Sequence, residues 1–282
     1  MHDNAVERRT VWPWRVTAAM AGAALILGGC GSGDDGKAAE PSPSTPSGSA
    51  AGTASGASSA SPSGGGASTL TPFVADPAQV PKTRRQAEVL AETVALRPAG
   101  WGPDFRAQQP AASTPGTVAV LDEQCRWERQ PLPGSVLASL SRYSRIPATA
   151  GKGELKVSAA VTVHATVRDA DERLATTLEE PLRCREQQVR TDERITELMS
   201  TATPYGQGSN NYADDQVVEM GSYLSGNSKQ VYRWYVTRLG TVTLAVSVMG
   251  GEGYSNNELN RFASNANVSM INSVQFELGG DS

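Results

Sequence analysis

The clearest pattern in the chain is a two-residue alternation over residues 154–168. Leu155, Val157, Ala159, Val161, Val163, Ala165 and Val167 occupy one phase, and Lys156, Ser158, Thr162, His164 and Thr166 the other. Successive side chains of a strand point to opposite faces. The run therefore predicts a long antiparallel strand with one apolar face and one wet or loosely covered face. Residues 216–224, 229–237 and 241–249 predict a meander of three strands, turning at 225–228 and 238–240. Shorter strands are expected at 117–121 and 124–129. A Pro-Leu-Pro-Gly turn at 131–134 then leads into residues 135–143.

Three segments change period. Ala87, Leu90, Ala91 and Val94 fall on one helical face, so a helix is expected over 83–96. Thr83 with Gln86 forms its capping box, and Arg97-Pro98 stops it. Asp169 with Glu172 predicts the start of a second helix that runs to about Glu180 and ends at Pro181. Ser255 with Glu258 opens a third, over 255–274, with Leu259, Phe262, Ala263, Ala266 and Met270 as its buried stripe. Residues 182–203 fit neither period. The expected class is α+β, a largely antiparallel sheet with helices packed on it.

The first 72 residues follow other rules. Residues 16–29 carry no charge and come behind Arg8, Arg9 and Arg15. As a helix they would span about 21 Å, too short for a bilayer core of about 30 Å. That size suits the apolar part of a signal peptide, here residues 1–29. The arginine pair leaves general secretory and twin-arginine export both open. Of the 39 residues 31–69, 35 are Gly, Ser, Ala, Pro or Thr. Such a stretch cannot bury enough apolar surface to offset its chain entropy, so residues 30–72 read as a disordered tether. Residues 73–282 remain for one extracytoplasmic α+β domain.

Leu27-Gly28-Gly29-Cys30 joins the signal segment to the tether. It resembles the lipobox of bacterial lipoproteins: an aliphatic residue, two small residues, then Cys. The resemblance implies a diacylglyceryl group on the Cys30 thiol, cleavage before Cys30, and palmitate-type acylation. The chain would then be held at the outer face of the cell membrane. Two acyl chains, at about 0.8 kcal/mol per buried CH₂, anchor stably where one does not.

Composition narrows the chemistry. The formal net charge is −4, and residues 73–282 carry 21 Lys and Arg against 24 Asp and Glu. Nucleic acid calls for a basic face, so it is not an expected partner. His164 is the one histidine beyond His2. Zinc and Ser-His-Asp chemistry would have to run through it, and a solvated or hydrogen-bonded strand histidine is the expected reading. No metal or other cofactor is expected. Besides Cys30 there are Cys125 and Cys184, which should pair in an oxidising compartment.

Further features carry a broader resemblance. Cys125-Arg126-Trp127, Leu182-Arg183-Cys184 and the run Arg238-Leu239-Gly240-Thr241-Val242-Thr243-Leu244 are similar to the extracytoplasmic sensor domains of serine/threonine kinases of high-GC Gram-positive bacteria. This implies non-catalytic binding of an extracytoplasmic ligand or protein. A carrier of a lipid or apolar small molecule is the alternative, with a dry cavity expected behind residues 155–167. A hydrolase built around His164 is third. Six of seven tyrosines lie between Tyr205 and Tyr254. Tyr205 and Tyr212, and the echo at Tyr254, Asn256 and Asn257, are candidate binding-loop residues of the adaptable Tyr/Gly/Ser/Asn kind. In an up-down-up meander these two loops fall at opposite ends, so they should not form one site. Trp127, Trp234 and Tyr235 read as core or sheet-face residues rather than as ligand platforms. Gly251-Glu252-Gly253 lacks the third glycine of a dinucleotide fingerprint and reads as a helix entry.

Overall fold

A computed structural model describes residues 72–279; the signal segment, Cys30 and most of the tether lie outside the described residues, as do 280–282. The first element is α1 (Arg84–Val94), which carries the expected Thr83–Gln86 capping box and buries Ala87, Leu90, Ala91 and Val94. A short helical turn, α2 (Pro98–Trp101), buries Trp101. Next come β1 (Arg106–Ala112), then a hairpin of β2 (Thr117–Leu121) and β3 (Trp127–Pro131). β4 (Val136–Ile146), β5 (Leu155–His164) and α3 (Val167–Arg183) follow. β6 (Gln187–Arg190) and β7 (Glu193–Pro204) precede the meander of β8 (Asp215–Ser225), β9 (Ser228–Leu239) and β10 (Val242–Gly250). The last element is α4 (Asn256–Leu278).

Eight strands pair in one curled antiparallel sheet of order β1-β4-β5-β10-β9-β8-β7-β6, and β2 and β3 pair separately. The class is α+β, as the periodicity indicates. One face of the sheet carries the main core. Leu155, Val157, Ala159, Val161 and Val163 of β5 are fully buried there, with Val242, Leu244, Val246 and Val248 of β10 beside them. Helices α1 and α4 close this side, through Leu90, Leu259, Met270 and Val274. The other face is covered by α3 and the β2–β3 hairpin. The strand–helix unit thus occurs twice, with α3 and α4 on opposite faces.

Several boundaries differ from expectation. The alternation of residues 154–168 overruns the strand, because β5 ends at His164. Thr166 caps α3 in place of Asp169 with Glu172: its hydroxyl accepts from the Asp169 amide and donates to Asp169 Oδ2, at 3.1 and 2.7 Å. Val167 continued the apolar phase only in sequence, being half exposed. Pro181 does not stop the helix; it sits buried in the last turn, where one backbone hydrogen bond is forfeited. The second short strand begins at Trp127, since Asp122 folds residues 122–126 into a turn by accepting from the Gln124 and Arg126 amides. The unassigned stretch 182–203 contains β6 and most of β7, and β1 had no period that singled it out. The glycine-rich entry to α4 is a turn: Gly250, Gly251 and Gly253 all have positive φ, and a Cβ on Gly253 would meet the Gly151 carbonyl at 2.3 Å.

Candidate functional site

The second face of the sheet is lined by rows of small and hydroxylated residues. Cross-strand pairing puts Tyr143, Ser158, Ser247, Trp234 and Glu219 in one row. Ser141, Ala160, Ala245, Val236 and Val217 form the next, and Ser139, Thr162 and Thr243 a third. Cross-strand partners point to the same side, so these side chains share one surface. Ser158 and Ser247 hydrogen-bond at 2.7 Å, as do Ser139 and Thr162 at 3.0 Å. Alanine, serine and threonine leave the centre of this face low, and the layer above does not fill it.

That layer is fastened by distant contacts. A disulfide joins Cys125, between β2 and β3, to Cys184 at the end of α3. Arg183 donates to the Asp122 and Leu121 carbonyls at 2.8 and 3.2 Å. Trp127 Nε1 donates to Gln187 Oε1 at 2.8 Å, and the Gln188 amide to the Cys125 carbonyl. Trp127 meets Trp234 edge to face at 5.7 Å. Leu174 of α3 packs on Val217 and Val236.

Between sheet and layer runs a groove of three neighbouring spaces that share lining residues. The largest, about 370 Å³, is bounded by Trp127, Arg129, Ser158, Trp234, Ser247 and Met249. A neck of about 70 Å³ passes over Ala160 and Ala245 beneath Ala119. The third space, about 260 Å³, opens beside Thr162, His164, Asp169 and Arg173. The largest space alone has the volume of a small-molecule site.

The charges in and around the groove are mostly paired. Arg173 binds Glu180 at 2.9 Å, and Glu193 takes Lys156 at 2.6 Å as well as Arg190. Glu219 is fully buried. Burial, reinforced by the charge of Glu180, lifts its carboxyl to about 7 against a hydrogen bond from Ser200. Glu219 Oε2, Glu180 Oε2 and Gln187 Nε2 are buried without a hydrogen-bond partner among the described residues.

His164 faces this groove, not bulk water. It is only 3 % exposed and its Nε2 lies 3.0 Å from Thr243 Oγ1. Burial, with the Arg173 charge, lowers it to about 4 against the pull of Asp169. Asp169 takes the Thr166 hydroxyl and makes no hydrogen bond to the imidazole. The acid–base–nucleophile chain of a hydrolase is not assembled here.

The tyrosine loops sit elsewhere. The loop holding Tyr205 and Tyr212 adjoins the Asp215–Arg238 end of the meander, and Gly250 pairs with Val231 at the other end. Asn210 braces the first loop, donating to the Thr203 carbonyl and accepting from the Ala213 amide. Tyr212 donates to Gln216 Oε1 at 3.1 Å. Tyr254 holds the Lys152 ammonium 4.1 Å over its ring, while Asn256 and Asn257 are exposed in the first turn of α4. None of these residues borders the groove spaces described above. Trp127 and Trp234 lie on sheet faces but also wall the groove, a position that the expectation against ligand platforms left out. The signal that marks this site is the Ser/Ala/Thr content of the polar phase of β5 and β10. It becomes visible only when the two strands are known to be neighbours.

No protein-family model and no curated protein matches the sequence. The chain is similar to the crystal structure of the extracellular domain of PknH from Mycobacterium tuberculosis. That likeness has a TM-score of 0.39 at 10% identity, over 66% of this chain and 96% of that one. It is also similar to an uncharacterised Rv0999 ortholog from Mycobacterium smegmatis, with a TM-score of 0.29 at 10% identity over 71% and 97%.

Proposed function

We propose that this chain is a non-catalytic binding lipoprotein, carried at the outer face of a cell membrane by acyl chains on Cys30, whose ligand sits in the groove between the sheet and the disulfide-linked layer. The observation that carries the reading is the groove: a low floor of alanines and hydroxyls, walled by two tryptophans, under a layer held by Cys125–Cys184. The disulfide suits an oxidising compartment, in agreement with the signal segment read from residues 1–29. The alternative, a carrier of a lipid or apolar small molecule, calls for a dry cavity behind residues 155–167; among the described residues that face of β5 is buried against α1 and α4.

Ala245 lies on the groove floor. Ala245→Phe should fill the neck without touching the main core. We expect the chain isolated from its own host to carry a bound small molecule, seen by native mass spectrometry, and Ala245→Phe to lose it with its circular dichroism unchanged. Retention of the same molecule by Ala245→Phe would place the ligand elsewhere.

A further inference from the structure

The basic side chains around the groove are not equivalent. Arg173 and Arg190 are committed to Glu180 and Glu193. Arg129 has no acidic partner within ion-pair distance among the described residues. It is half-buried on β3 and lines the largest space. Its Nε and Nη2 donate to the Thr117 hydroxyl and carbonyl at 2.7 and 2.5 Å, and Nη1 reaches Ser141 Oγ at 3.4 Å. A guanidinium has five N–H donors, so two are left over, one on each terminal nitrogen. Thr117 fixes the plane of the group and thereby its free edge. Glu128, the acid nearest in sequence, is exposed at the rim and accepts from Gln130.

An unpaired, half-desolvated cation beside an apolar wall is costly unless something answers its charge. Two spare donors on the terminal nitrogens suit the oxygens of a carboxylate, sulfonate or phosphate. Trp127, Trp234 and Met249 offer a flat apolar surface in the same space. We infer that the groove takes an organic anion, its charged head on Arg129 and its apolar or flat body against the two tryptophans. This rests on the groove being the binding site, and it adds the chemical class of the occupant.

The test uses the chain from residue 31 onward, which contains every described residue and needs no detergent. It is titrated with 1-anilinonaphthalene-8-sulfonate and with its neutral counterpart N-phenyl-1-naphthylamine, following probe emission and tryptophan quenching. The sulfonate is expected to bind, and the neutral probe at least about tenfold more weakly, the size of a charge-assisted hydrogen bond. Arg129→Gln should weaken the sulfonate by about the same factor and leave the neutral probe unchanged; Arg129→Lys should recover part of the loss. Equal affinity of the two probes, or no effect of Arg129→Gln, would overturn the anion assignment while leaving the groove as a site. Equal loss of both probes in Arg129→Gln would mark a structural role for Arg129 and also overturn it. Failure of both probes to bind the parent chain would overturn the groove itself.

Discussion

His164 and Glu219 are buried on the same face of the sheet and act on stability in opposite senses over nearly the same pH range. His164 titrates near 4 when folded, below its ordinary 6.5. Its contribution is intact above pH 6.5 and is lost as the pH falls toward 4, because the unfolded chain takes up the proton first. Glu219 titrates near 7 when folded, above its ordinary 4.5. Its cost is absent below about 4.5 and complete above about 7, since the unfolded chain gives up the proton first. Each shift corresponds to roughly 3 kcal/mol. Relative to the parent chain, His164→Gln should gain about 3 kcal/mol between pH 7 and pH 4, and Glu219→Gln about 3 kcal/mol between pH 4 and pH 8. Urea midpoints across that range measure both. Parallel pH curves for parent and variants would contradict the burial argument.

At the scale of elements, the Cys125–Cys184 bond is a covalent cross-link between the hairpin and the end of α3. It closes a loop with a sequence separation of 59. The chain-entropy argument gives such a loop about 4 kcal/mol. The double substitution Cys125→Ala, Cys184→Ala should lower the unfolding free energy by about that much. It should also weaken ligand binding, because the hairpin carrying Trp127 and Arg129 loses its covalent cross-link while α1, α4 and the main core are untouched. A denaturation midpoint indifferent to reductant would contradict this. The elements that could be read in advance are those whose own residues decide them: α1 and α4 from capping boxes and stripes, β5 and the meander from alternation. β6 and β7 could not, because Glu193 is buried by pairing with Lys156 and Arg190 brought from other parts of the chain or around the turn. The groove could not either. Its floor is defined by small side chains whose neighbours across β4, β5 and β10 lie far away in sequence, and its cover is supplied by α3 together with a hairpin that precedes all three strands.

At the scale of the whole molecule, the proposed anchor and the proposed binding body are tested separately. The anchor is tested by Cys30→Ala, which should move the chain from the membrane fraction to the soluble fraction and abolish labelling by a fatty-acid analogue. Membrane retention of that variant would count against acylation at Cys30. The groove lies on the face opposite the main core that α1 and α4 close. The most direct measurement is chemical-shift mapping on the isotope-labelled chain as 1-anilinonaphthalene-8-sulfonate is added. The account predicts shifts at the Trp127 and Trp234 indoles and at the amides of Ala160, Ala245 and Ser247. Shifts at Tyr205, Tyr212, Tyr254, Asn256 and Asn257 with those groove signals silent would contradict it.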